Sequence, residues 1–281
     1  MVPNNELATA HVYEHALWYA ACLAHETARD DRFLEDAFAA RLAGSRGADL
    51  FGAKLNPTRA FTAPLRAATV DDVLQRAIFE HHIHTVVTVG QGLDARPYRL
   101  SLPNDLRWIE LERHPLIVYK ELRLAHVQPA CRVERVAVEP SEQKGRRDAI
   151  RRATQGVARG LLLTEDTDAG TPSSLLQELA KEAPAGLKWW ILTTVAADRG
   201  SLEALTSDRW RIVDWRPLRD EALRLSQERL RRFEAQAPVE HAALDFGAVW
   251  LLKRSSRSAF DQRFRIPPQA GAQRPWEGGR T

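Results

Sequence analysis

The residues best placed to do chemistry lie between His84 and Glu112. A β-branched run, Thr85-Val86-Val87-Thr88-Val89, ends at Gly90, and Gly92 follows after one residue. The run is too short for a helix and reads as a buried strand. Two glycines at the carboxyl end of a strand let the backbone turn sharply and approach a ligand with no Cβ in the way. Gly90, Gly92 and Ala95 fit the G-x-G-x-x-G/A spacing of a nucleotide-binding turn, whose tip is Gly90, Gln91 and Gly92. A second apolar run, Arg107-Trp108-Ile109, leads to Glu110 and Glu112, near the separation at which a carboxylate meets ribose hydroxyls. Strand, glycine turn, strand and acid together predict a site for an adenosine-containing cofactor.

Other acids and histidines add to this. Glu112, Glu139 and Glu165 each end an apolar run. Ligands of open α/β sheets bind beyond the carboxyl ends of the strands, so these acids are expected to converge there. His11-Val-Tyr-Glu14-His15 matches H-x-x-E-H, a zinc-protease pattern that puts both histidines on one helical face. A zinc site needs a third protein ligand, and no downstream segment announces one, so no metal is expected. His81, His82 and His84 precede the first strand, where a helix C-terminus favours cationic side chains. Their spacing does not converge on one metal.

The stretch GQGLDARPYRL, residues 90 to 100, resembles the GAGLDTRxYRL element of the leucine carboxyl methyltransferase-like family. Those proteins are S-adenosylmethionine (SAM)-dependent O-methyltransferases, including bacterial enzymes acting on polyketides. The segment ELERHPLIVYKELRL is similar to the family's EvDxPavxxxKxxxL, with Glu112 in the Asp place, Lys120 at its usual distance and Pro115 one place late. Upstream, Arg66 and Asp71-Asp72 match the family's Arg-x-x-x-x-Asp-Asp helix start. The resemblance implies that Arg66 contacts the SAM carboxylate, for which a forked guanidinium is suited. It also implies Glu112 on the ribose hydroxyls, Glu139 near the adenine, and Glu165 in the place of the Glu of EGLLMYL. The family's RAxE is Leu23-Ala24-His25-Glu26 here, its Asp-Pro is Asp36-Ala37, and TEDTDAGTPSSLL lacks the glycine and Met-Tyr-Leu.

The elements that position these residues follow from periodicity. The first sixty residues read as helices, with Leu7, Val12, Ala16, Leu17, Ala20 and Leu23 on one face, and Phe33, Ala37, Phe38 and Leu42 on another. Gly44 and Gly47 mark the end of that block. A helix is predicted over 69–82, opened by Thr69 and Asp72 at capping-box spacing, with Arg66 just ahead of it. Strands are expected at 85–89, 131–139, 161–164, 187–195, 210–215 and 246–253. Helices are expected at 116–127, 144–152 (exposed and Arg-rich), 172–182 and 218–236. This alternation predicts a Rossmann-like α/β fold, a doubly wound and mostly parallel sheet, with residues 1–65 as a helical cover. Residues 1–265 are read as one domain, and 266–281, rich in Pro, Gly and Gln, as a disordered tail.

Composition narrows the classes. The 281 residues are 44% hydrophobic and 27% charged, the balance of an ordinary soluble globule. A net charge of +3 without a clustered basic tract does not argue for nucleic acid. Two cysteines, Cys22 and Cys131, suit a reducing cytosol, and the absence of a membrane-length apolar run or a secretory pattern points to the cytoplasm. Two classes compete: a SAM-dependent O-methyltransferase for a small-molecule carboxylate or hydroxyl, and a degenerate relative with an accessory or SAM-binding role. A nicotinamide dehydrogenase is the third, since a glycine turn and ribose acid alone do not separate NAD from SAM. A short-chain dehydrogenase shows Tyr-x-x-x-Lys, whereas Leu17, Leu23, Leu102 and Arg123 stand four past the tyrosines. The methyltransferase is the expectation, with no catalytic residue assigned; His11, His15, His25 and Tyr98 are the candidates for a base.

Overall fold

The computed structural model describes residues 4–54, 56–139, 142–165, 173–194, 202, 209–236 and 246–255, leaving aside the side chains of 4–12, 173 and 174. Among them, seven strands form one sheet: β1 (Thr85–Val89), β2 (Arg107–Glu112), β3 (Arg132–Ala137), β4 (Gly160–Thr164), β5 (Leu187–Thr194), β6 (Trp210–Pro217) and β7 (Ala248–Arg254). Their order is β3-β2-β1-β4-β5-β7-β6. The first five run parallel, while β7 is antiparallel to both of its neighbours. Strand order reverses between β1 and β4, which makes the carboxyl ends of those strands the switch point of a Rossmann-like fold.

The central strands are apolar throughout because both faces are covered. Val86, Trp108, Leu161, Leu163, Ile191 and Leu251 face one core, shared with α3 (Pro57–Glu80) and α8 (Leu218–Gln236). Val87, Ile109, Leu162, Trp190 and Trp250 face the other, built with α6 (Gln143–Ala153) and α7 (Ser173–Glu182).

The N-terminal cover consists of α1 (Asn4–Thr27) and α2 (Ala39–Ala53), which pack against each other. Their core takes in Leu93 and Ala95 from the glycine turn, and Leu116 from α5 (His114–Arg123). This contact seats the cover over the switch point. Several expected boundaries move. Gly44 (φ 59°) kinks α2 and Gly47 lies within it, so neither ends the block. A Cβ on Gly47 would meet the Leu17 carbonyl oxygen at 2.7 Å, so the glycine lets the two helices touch. Phe33 and Ala37 lie in the α1–α2 connection rather than on a helix. The helix expected from Thr69 starts at Pro57, capped by the Asn56 side chain, which accepts from the Arg59 N–H. Arg66 is therefore inside α3, and the Thr69 hydroxyl donates to the Leu65 carbonyl at 2.8 Å instead of capping a helix start. Arg146, expected on an exposed helix, is buried and paired with Glu178. Residues 166–170 and the 266–281 tail lie outside the described residues.

A buried ion pair joins the cover to the opposite end of the chain. Glu26, at the end of α1, accepts from Arg229 of α8 at 2.7 and 2.9 Å. Arg229 also donates to the Asp31 carbonyl and lies 3.7 Å over the Phe33 ring. Removing one partner of such a pair leaves an uncompensated buried charge. Glu26→Ala is expected to destabilise the protein by on the order of 3 kcal/mol, read from urea unfolding. A loss below about 1 kcal/mol, the scale of an exposed pair, would show that this pair does not hold the cover down.

Candidate active site

The glycine turn has the geometry its sequence requires. Gly90 (φ 66°) and Gly92 (φ 60°) both occupy the left-handed region, where side chains are strained. The Gly90 N–H donates to the Leu111 carbonyl at 2.9 Å, tying the turn to β2. The Gly92 N–H donates to Glu112 Oε2 at 2.7 Å, and the Arg113 N–H to Glu112 Oε1 at 2.8 Å. A Cβ on Gly92 would come within 3.1 Å of the Ala16 methyl, so the cover presses directly on the turn. The Gln91 side chain folds back to donate to the Val89 carbonyl at 3.1 Å.

Above this turn is a cleft of about 770 Å³, counting its open mouth. Its floor is the 90–96 turn, with Glu112 from β2 and Glu165 just past β4. Its roof is α1, through His15, Ala16, Tyr19, Ala20 and Leu23, and Asp36 closes one side. The site is therefore assembled from the ends of β1, β2 and β4 and from the cover.

A buried charge cluster lies beneath. Arg96 donates through Nε to Asp71 at 2.7 Å, and through Nη1 to Glu165 at 2.5 Å and Asp94 at 3.3 Å. Arg99 holds the other Asp71 oxygen at 2.5 Å. Its Nε lies 3.2 Å from Asp36 but makes no hydrogen bond. These contacts set two guanidiniums among four carboxylates. Burial pushes the Asp36 carboxyl above its ordinary pKa, and the Arg99 charge offsets that only in part. Burial opposes ionisation of Asp94 too, but the charges of Arg96 and Lys120 outweigh it and hold that carboxyl low. Burial likewise raises Glu112, against the hydrogen bonds from Arg113 and Gly92. The Tyr19 hydroxyl is pushed up by burial and then by the Glu165 charge, which keeps it protonated.

Five of the residues expected at the site converge: Gly90, Gln91, Gly92, Glu112 and Glu165 line the cleft. Two do not line it. Glu139 lies two residues beyond β3, where both its oxygens engage Arg113, at 2.7 to 3.0 Å. Arg66 is buried within α3 with its guanidinium carbon 5.9 Å from the Tyr19 ring, and its neighbour Ala67 is the one that reaches the cleft. Glu110 is a structural acid: it accepts from Lys120 at 2.6 Å and Arg135 at 2.9 Å, all within the protein. Of the candidate bases whose side chains are described, only His15 lines the cleft. His25 lies 5.0 Å from the Phe51 ring, and the Tyr98 hydroxyl accepts from Arg135 at 2.7 Å. The His11 side chain is outside the described set. Glu14, the acid of the zinc-like pattern, is held by Arg46 and Lys54.

Sequence reasoning missed Tyr19, Asp36, Asp94 and Arg96 as residues of the cleft. Asp94 and Arg96 lie inside the quoted 90–100 motif, but a motif does not say which side chains turn inward or pair. Tyr19 had a signal of another kind, one helical turn from His15 on the face that carries Ala16 and Leu23.

A family model described as leucine carboxyl methyltransferase matches residues 16–147. A protein of Frankia alni, provisionally classed as an S-adenosyl-L-methionine-dependent methyltransferase, is 28% identical over 70% of this chain and 73% of its own length. One from Streptomyces avermitilis, classed the same way, is 24% identical over 70% and 73%. Among solved structures, a DUF574 family protein from Streptomyces avermitilis covers 85% of this chain and 97% of its own, with a TM-score of 0.49 at 10% identity. The family match begins in α1 and ends in α6, so the chain is similar to leucine carboxyl methyltransferases across the glycine turn and Glu112.

Proposed function

We propose that the protein is a SAM-dependent O-methyltransferase of a small-molecule acceptor, and that residues 1–265 work as one α/β unit roofed by 1–65. The observation that carries this reading is the state of Glu112. A carboxylate offers about four lone-pair sites, and the two N–H bonds from Gly92 and Arg113 use one on each oxygen. One acceptor site on each oxygen remains, the arrangement needed to take both hydroxyls of a ribose. The turn that Glu112 holds is free of side chains at Gly90 and Gly92, so an adenosine moiety can lie against its backbone.

The charge cluster fits the same ligand. SAM, when bound, supplies a methyl group on a positively charged sulfur and carries an ammonium group besides. Asp36, raised by burial and weakly served by Arg99, faces the cleft together with Glu165 and Asp94. A cation placed there would offset their desolvation. Leu23 and Ala20 of the roof exclude water from the cleft, which strengthens every charge interaction within it. Methyl transfer is an in-line displacement, so the roof and the turn do most of the work by holding donor and acceptor in line. Arg66 and Glu139 act at one remove in this reading, Arg66 through Tyr19 and Glu139 by fixing Arg113, whose N–H holds Glu112.

Glu112→Ala should weaken binding of SAM by about tenfold to a hundredfold, since hydrogen bonds to a charged group are worth about 1.5–3 kcal/mol each. Calorimetric titration reads this directly, and wild-type affinity in the variant would remove the ribose assignment. Titration with NAD in parallel tests the dehydrogenase, and SAM binding without turnover on a broad acceptor panel would favour the accessory role.

Asp36 gives a pH-dependent outcome. Its folded pKa lies above the ordinary 3.8, so the native state binds the proton more tightly than the unfolded chain. Stability contributed by this group is therefore present at low pH and lost as pH rises from 3.8 through the folded value. Asp36→Asn cannot ionise, so melting curves across that range should shift progressively in favour of the variant as pH rises. A constant offset between the two proteins would show that Asp36 does not carry the strain.

A further inference from the structure

Among the described residues, two aspartates line the cleft, and they are served unequally. Asp94 accepts the Arg96 N–H at 2.9 Å and faces Nη1 of the same residue at 3.3 Å. The charges of Arg96 and Lys120 outweigh its burial and hold its carboxyl low. Asp36 has less. Its Oδ1 accepts the Phe38 N–H at 3.0 Å, within the turn that leads into α2. Its Oδ2 has Arg99 Nε for a partner, at 3.2 Å, in a contact that misses hydrogen-bond geometry. The rest of that guanidinium is already committed, since Nη1 and Nη2 hold the two oxygens of Asp71 at 2.5 and 3.0 Å. Burial accordingly keeps Asp36 above its ordinary pKa.

The Asp36 carboxylate has no route away from the cleft. The residue is only 3% exposed. Its N–H donates to the Thr27 hydroxyl at 2.9 Å, and its carbonyl accepts from the Ala39 N–H at 3.1 Å. The backbone is thus tied to the end of α1 on one side and the start of α2 on the other. Leu23, Ala39, Leu42 and Ala67 line the same cleft and lower its dielectric, so a charge without a full counter-charge is felt strongly there.

We propose that Asp36 makes the cleft choose its adenosyl ligand by charge, favouring the positively charged SAM over the neutral thioether S-adenosylhomocysteine. The inference rests on the methyltransferase reading above. The two ligands share their adenosine and their amino-acid tail, so neither the glycine turn nor Glu112 tells them apart. They differ by one methyl group and the charge it brings. A cation in the cleft gives Asp36 the counter-charge that Arg99 supplies only in part. A neutral ligand takes the remaining water from the same carboxylate and returns nothing for it. Discrimination therefore comes from the penalty on the neutral ligand as well as from attraction of the charged one. Asp36 is in this way a selectivity residue, and it keeps the spent donor from occupying the cleft.

Calorimetric titration of the full chain with three ligands tests this. They are SAM, S-adenosylhomocysteine, and sinefungin, an unreactive analogue in which an amine-bearing carbon replaces the methyl-bearing sulfur. SAM and sinefungin should bind at least about tenfold tighter than S-adenosylhomocysteine, a difference of about 1.4 kcal/mol. Asp36→Asn keeps the shape and removes the charge. It should bring the three ligands within about threefold of one another by weakening the two cations alone. Leu23→Lys, which supplies a cation from the chain itself to the same cleft, should erase the preference independently. S-adenosylhomocysteine binding as tightly as SAM to the unaltered protein would overturn the inference. So would a preference that survives in Asp36→Asn or, where that variant does not fold, in Leu23→Lys. An equal loss for all three ligands in Asp36→Asn would overturn it too, because that is the mark of a structural role. In each of these cases the unaltered protein still binds SAM, and the methyltransferase reading stands. If the unaltered protein bound none of the three, both would fall.

Discussion

One short hydrogen bond organises the cleft end of this protein: the Gly92 N–H on the Glu112 carboxylate, 2.7 Å long. It links the turn after β1 to the last residue of β2, two strands that are already paired in parallel register up to Val89 and Leu111. The bond works only because residue 92 has no side chain. Its left-handed backbone aims the N–H at β2, and its missing Cβ leaves room for Ala16 of the roof. Three layers of the structure therefore meet at one glycine. Any side chain there would push α1 away and misdirect the donor at the same time.

The roof is kept in place by charges rather than by core alone. Arg229 reaches from α8 to Glu26 at the end of α1, and Arg99 reaches from the short helix α4 (Arg96–Arg99) toward Asp36 in the next connection. Asp36 and Arg99 line the cleft, and Glu26 lies three residues past Leu23 of its roof. Buried pairs of this kind contribute little net stability compared with well-packed apolar groups, but they are unforgiving of mismatch. They fix where the α1–α2 connection crosses the site. The arginine that the family carries at the position of Leu23 is absent, and an apolar roof residue occupies its place beside Tyr19. The charge that remains at the site is carried from below, by Arg96 and Arg99, and the cavity it serves is richer in carboxylates than in cations.

Two cavities share α1. The face of α1 bearing Ala16, Tyr19, Ala20 and Leu23 roofs the cleft, while Glu14 and Trp18 line an adjoining cavity. His15 stands at the boundary. A single helix can border two cavities in this way because residues one apart are separated by 100° on its surface. The histidines and glutamate that resemble a zinc motif are thereby separated in role: Glu14 neutralises Arg46 and Lys54, and His15 looks inward.

The sequence by itself determined the sheet and the centre of the site. Uninterrupted β-branched and aliphatic runs require strands buried on both faces, and their alternation with helical segments requires parallel crossovers. The glycine spacing at 90–92 and the acid at Glu112 were legible because backbone geometry at those positions admits few residues. What lay outside local reach was decided by tertiary structure. Helix α3 extends back to Pro57 because Asn56 caps it and its apolar face has both the sheet and α8 to pack on, which overrides the capping-box signal at Thr69. Glu139 was equivalent to Glu112 as a strand-ending acid until β3 fell at the sheet edge, where Arg113 takes it. Glu110 and Glu112 differ by two residues and point to the same face, yet one is consumed by Lys120 and Arg135 and the other faces the cleft. Pairings such as Arg96 with Glu165, separated by 69 positions, exist only once the chain has closed on itself. The cost of an unpaired buried charge then dictates which residues must meet.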